Sequence, residues 1–103
     1  MRLHTLEALG QALMDAGAYG KALQCALAAV SAAPMRESAH RLVIAIHLAE
    51  GNVSEALRQF ERLKTQLNRE LGIGPSASVM ALMAPWLACR TPPASPRPPA
   101  RRI

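Results

Sequence analysis

Aromatic residues are almost missing from this chain, with one Trp, one Tyr and one Phe in 103 positions. A core built without them is aliphatic and alanine-rich. It lets helices approach closely but buries little area per residue, and a chain this short buries only about 60–65% of its unfolded surface. Cysteine is nearly as scarce. Cys25 and Cys89 have no CxxC spacing and are too few for a disulfide framework, which points to reduced thiols in a cytosolic protein. No long apolar run is present either. The longest, Val79 to Cys89, reaches about half of the ~20 residues a spanning helix needs, so no membrane segment is expected. Leucines follow Arg2, but Glu7 and Asp15 interrupt them, which excludes an export signal.

Chemistry-bearing motifs are absent as well. Gly72 and Gly74 follow a helical stretch and precede no GK[ST], so they read as a helix stop and not as a phosphate loop. His40 and His47 share one helix, seven residues and so ~10 Å apart along its axis, too far to hold one metal ion between them. They are expected to be half-buried polar positions with hydrogen-bonded imidazoles, and Cys25 to be core filler. No Ser, His and acid arrangement is visible. The expectation is a non-enzymatic protein with no cofactor and no metal.

What the chain does have is helical periodicity, written twice. No stretch alternates as a strand would, so the class is all-α. From Glu37 to Glu50, Leu42, Val43, Ile46, Leu48 and Ala49 recur at helical spacing, and Gly51 stops that helix. Asn52 and Glu55 resemble a capping box, after which Ala56, Leu57, Phe60, Leu63, Leu67 and Leu71 keep one apolar stripe to Gly72. The same grammar occurs 34 residues earlier: Gly17 matches Gly51, Ala22 matches Ala56, Leu23 matches Leu57 and Leu9 matches Val43. Packing constrains the buried face of a repeat while its solvent face drifts, and matches concentrated at core positions have that origin. The earlier pair of helices is expected from about Thr5 to Asp15, with Leu6, Leu9 and Leu13 inward, and from about Tyr19 to Ala32, with Ala22, Leu23, Ala26, Ala29 and Val30 inward. Pro34 separates the copies. Leu9, Gly10, Gly17, Tyr19, Ala22, Ala29 and Pro34 resemble the tetratricopeptide (TPR) helix-turn-helix pattern, which implies right-handed helical hairpins. The positions expected to pack the repeats are Leu9, Gly17, Ala22, Ala29, Gly51, Ala56 and Phe60.

Beyond Pro75, Ser76 is placed to cap a fifth helix whose Val79, Leu82, Met83 and Trp86 would cover the open face of the second repeat. Pro85 should kink or end it near Ala84. Residues 1–89 are therefore read as one folded unit, two repeats plus a capping helix. Residues 90–103, with five prolines and four arginines, are read as a disordered tail of polyproline II character. That tail carries most of the charge excess. Without Arg90, Arg97, Arg101 and Arg102, the formal +5 falls to +1 over residues 1–89, so the high pI does not signal a DNA-binding face.

The run ESAHRLVIAIHLAEGNVSEALRQFERLKTQLNRELGIGPSASVMAL resembles the closing repeats of the bacterial transcriptional activator domain. The match rests on Pro34, Arg36, Glu37, His40 and Arg41 entering the third helix, on Gly51, on Glu55, Ala56, Leu57 and Phe60 in the fourth, and on the exit Glu70, Leu71, Gly72, Ile73, Gly74, Pro75, Ser76. It covers roughly residues 5–88. The resemblance implies a TPR-like regulatory module of a transcriptional activator, here beginning partway into the module and without the winged helix its relatives carry upstream. It further implies a cytoplasmic protein working through protein contacts: self-association, as in a homodimer, RNA polymerase, or an attached regulatory domain. No specific DNA binding by this chain alone is expected. Arg36, Arg41, Arg58 and Arg62 are the candidate partner-binding residues. The alternative is a free-standing adaptor that takes a peptide in a groove lined by His4, Glu7, Gln11 and Met14 from the first repeat and Ser38, Arg41, Ala45 and Leu48 from the second.

Overall fold

The computed structural model describes residues 2–90; the arginine-proline tail beyond them lies outside the described residues. Five helices follow one another: α1 (Leu3–Asp15), α2 (Tyr19–Ala32), α3 (Glu37–Ala49), α4 (Val53–Leu71) and α5 (Ala77–Arg90). The chain is all-α, and α1 with α2 and α3 with α4 form two helical hairpins.

Both hairpin turns are built alike. After α1, Gly17 sits at φ 80°, Ala18 N–H donates to Leu13 O and Gly17 N–H donates to Met14 O. After α3, Gly51 sits at φ 79°, Asn52 N–H donates to His47 O and Gly51 N–H donates to Leu48 O. A side chain at either glycine would meet the following carbonyl, so glycine is the residue that lets each helix close on its own last carbonyls. At the other ends the caps are weaker than the sequence suggests. Asn52 precedes α4 but makes no side-chain capping bond, so the expected capping box does not form. Ser76 does cap α5, its Oγ accepting from Val79 N–H at 3.5 Å.

The core lies on both sides of α3. Towards the first hairpin, Leu42, Val43 and Ile46 pack with Ala22 and Ala26 of α2. Towards the other side, Ile44 joins Ala56, Phe60, Leu63 and Leu67 of α4 with Val79 and Met83 of α5. Leu82 and Trp86 extend that second cluster while remaining partly exposed. Ala22, Ala26, Ala29 and Ala56 are fully buried, and the short side chain at each is what permits close helix approach.

Two expectations are corrected. Leu9, expected among the repeat-packing residues, is 41% exposed, whereas its counterpart Val43 is fully buried. Val43 is covered because α2 packs against α3; among the described residues no helix stands in the same relation to α1. The close contact on α1 is made instead by its neighbour Gly10, where an added Cβ would lie 2.9 Å from Leu42 Cδ2. Of the two outcomes expected at Pro85, a kink or an end, the end does not occur, because α5 continues to Arg90. Pro85 and Ala81, whose carbonyl loses its intrahelical partner, are both exposed, so that carbonyl is left open to solvent and not buried unpaired.

Candidate functional site

Where α1 meets the start of α3, three side chains converge. Arg36 Nε donates to Glu7 Oε2, and Ser38 Oγ donates to the same oxygen at 3.0 Å. Glu7 is well covered there, with 16% of its side chain exposed against 38% for Arg36. The cleft beside this cluster is lined by Glu7, Gln11, Ser38, Arg41, Leu42 and Ala45 and has a volume of about 110 Å³. It coincides with the middle of the groove expected from the repeat positions. Its only carboxylate is engaged by two donors, so the cleft presents a braced floor and not a free acceptor. Gln11 is likewise turned towards Asp15, donating from Nε2 to Oδ1 at 3.0 Å.

Behind the cleft, His40 is 2% exposed and Gln59 4% exposed. His40 Nε2 lies 2.6 Å from Pro34 O and Nδ1 lies 2.8 Å from Gln59 Nε2. A carbonyl oxygen only accepts, so Nε2 carries the proton and Nδ1 accepts from the glutamine amide. The imidazole thus ties the turn before α3 to the middle of α4. His47 differs: its Nδ1 is buried without a hydrogen-bond partner and stands 3.8 Å from Glu50 Oε1. Among the described residues, no group of three or more His, Cys, Asp and Glu converges as metal ligands would. No helix among them is long and apolar enough to cross a membrane.

The four arginines singled out by the sequence do not share a surface. Arg36 and Arg41 lie at the α1/α3 cleft, and Arg36 is bonded to Glu7. Arg58 and Arg62 lie on α4, where with Arg69 they line a shallow groove; Arg58 Nη1 pairs with Glu55 Oε2 at 3.2 Å. Arg69 also borders a second groove, between α4 and α5, that the sequence reading missed. Its apolar walls include Phe60, Ile73, Pro75, Met80 and Leu87. Leu71, Ile73 and Met80 are 59%, 51% and 41% exposed, so Leu71, expected at the end of the apolar stripe of α4, lies outside the core. For Ile73 the available signal was its hydrophobicity in a segment between helices, with no helical period to bury it.

The family model described as the bacterial transcriptional activator domain matches residues 1–85. No match was found among curated proteins or among solved structures.

Proposed function

Since this chain belongs to the bacterial transcriptional activator domain family, we propose that it is a non-enzymatic regulatory module that acts through protein contacts and does not itself choose a promoter. Its working unit is the helical body of residues 1–89, in the cytoplasm, with self-association, RNA polymerase or an attached regulatory domain as the contact. The observation that carries this reading is where apolar surface is left uncovered. Leu9 and Leu27, on α1 and α2, are 41% and 42% exposed, and Leu71 and Met80, on α4 and α5, are 59% and 41% exposed. Apolar surface of this kind marks an interaction site where it forms a contiguous patch, and Leu9 and Leu27 lie on the two helices of one hairpin. Self-association through the first hairpin, as a homodimer, would cover them. The adaptor alternative is less supported, because the α1/α3 cleft is small and its carboxylate is already engaged.

The reading is tested by fusing the chain to an unrelated sequence-specific DNA-binding domain and measuring transcription from a reporter carrying that domain's site. Activation above the DNA-binding domain alone is expected, since the module supplies the contact. The unfused chain should bind promoter and random duplexes equally. A fusion that activates nothing, or clear discrimination between duplexes, overturns the proposal. Light scattering tests the homodimer: a monodisperse monomer at high micromolar concentration refutes it.

A further inference from the structure

The groove between α4 and α5 has features that the first hairpin lacks. Its walls, Phe60, Ile73, Met80 and Leu87, are apolar, and its volume is about 730 Å³. Lys64 and Arg69 stand on its lining, and no carboxylate does. Lys64 lies 3.9 Å from Glu61 in an exposed pair, which dissociates at little cost. From Arg69 along α4 follow Arg62 and Arg58, with Glu61 between them and Arg58 paired with Glu55, so the face beside the groove is mixed with a basic excess.

Resting on the regulatory reading above, we propose that this groove is the docking site for an amphipathic helical segment of another protein whose apolar stripe is flanked by Asp and Glu. Apolar side chains of such a segment would enter between Ile73 and Met80, and its carboxylates would meet Lys64 and Arg69 at the rim. Helix-in-groove recognition divides the labour in this way: apolar anchors supply affinity, while complementary charge sets partner and orientation. A second copy of this chain does not fit. Besides Met80, which lines the groove itself, its exposed large apolar residues on helices are Leu9, Leu27 and Leu71, whose neighbours one turn away within their helices are Thr5, Leu6, Ala12 and Leu13 for the first, Leu23, Gln24, Val30 and Ser31 for the second, and Leu67 and Asn68 for the third. None is acidic, so a second copy would leave Lys64 and Arg69 without counter-charge.

The test uses the full chain and two fluorescein-labelled helical peptides. One carries leucines at i, i+3, i+4 and i+7 with glutamates on the flanks; the other replaces every glutamate with lysine. Fluorescence anisotropy near physiological salt should show the glutamate peptide binding tighter by about tenfold or more. Ile73→Asp should weaken it by about tenfold or more, as loss of a central apolar anchor does. The double variant Lys64→Glu with Arg69→Glu should reverse the preference, and Lys21→Glu, at an exposed position of α2, should change nothing. Circular dichroism checks that each variant retains its helices. Equal binding of both peptides, or unchanged binding by Ile73→Asp, overturns the proposal. The reporter fusion separates the two readings. Activation by the fusion while the glutamate peptide ignores the groove removes the groove and leaves the regulatory module standing. Peptide binding through the groove without activation does the reverse.

Discussion

Replacing Gly10 with alanine should have opposite effects in two backgrounds. Gly10 lies inside α1, where alanine is favoured over glycine by about 1 kcal/mol. Against that gain, the new methyl would stand 2.9 Å from Leu42 Cδ2, with Ala22 O at 3.5 Å and Cys25 Cβ at 3.6 Å behind it. Leu42 is 7% exposed and held among Ala22, Ala26, Val43 and Ile46, so it moves aside only by disturbing that cluster. Overpacking of this kind costs about 1–3 kcal/mol. In the otherwise unaltered chain, Gly10→Ala should therefore be neutral to destabilising by about 2 kcal/mol, the clash outweighing the propensity. Leu42→Ala alone should cost about 2–5 kcal/mol through the cavity it leaves. Within that variant the clash is gone and the methyl partly fills the void, so Gly10→Ala should stabilise by about 1 kcal/mol. The coupling energy, read from a double-mutant cycle by urea denaturation, should be about 1–3 kcal/mol. Equal shifts of the midpoint in both backgrounds would refute the close approach of α1 to α3 at Gly10.

Two further outcomes are expected. Gln59→Leu should destabilise by about 1–3 kcal/mol, because it removes the donor to a buried imidazole nitrogen; adding His40→Leu should cost less than a second such loss, and additive penalties in chemical denaturation would argue against the pair. Pro85→Ala should raise stability by about 1–3 kcal/mol, since it restores an N–H to a helix that runs on to Arg90; an unchanged thermal midpoint would place the end of α5 near Ala84 instead.

The hairpins were legible in the sequence because their turns and close-packed positions depend on local chemistry. Gly17 and Gly51 are required by backbone conformation, and Ala22 and Ala56 by the space between paired helices, so the 34-residue shift exposes both. Leu9 was misjudged for the opposite reason: its burial depends on whether another helix covers α1, which the residue itself does not encode. The Glu7, Arg36 and Ser38 cluster was only half visible. Glu7 and Ser38 were placed on one groove, but a bond spanning 29 residues of sequence between Glu7 and Arg36 follows from how the hairpins are stacked. Asn52 shows the limit of motif reading, because its side chain is of the capping type yet is not used as a cap. The α4/α5 groove was hidden by the same limit, since Ile73 and Met80 become neighbours only after α5 has folded back on Phe60.

One short segment has mechanical weight out of proportion to its length. Arg36 and Ser38 grip Glu7 of α1, while Glu37 between them accepts the backbone N–H of Ser76 at 2.7 Å, where α5 begins. Three consecutive residues at the entry to α3 are thus a shared pivot for the first helix and the last. A displacement of this turn would therefore strain the bonds to both α1 and the start of α5, although the two helices share no partner side chain there.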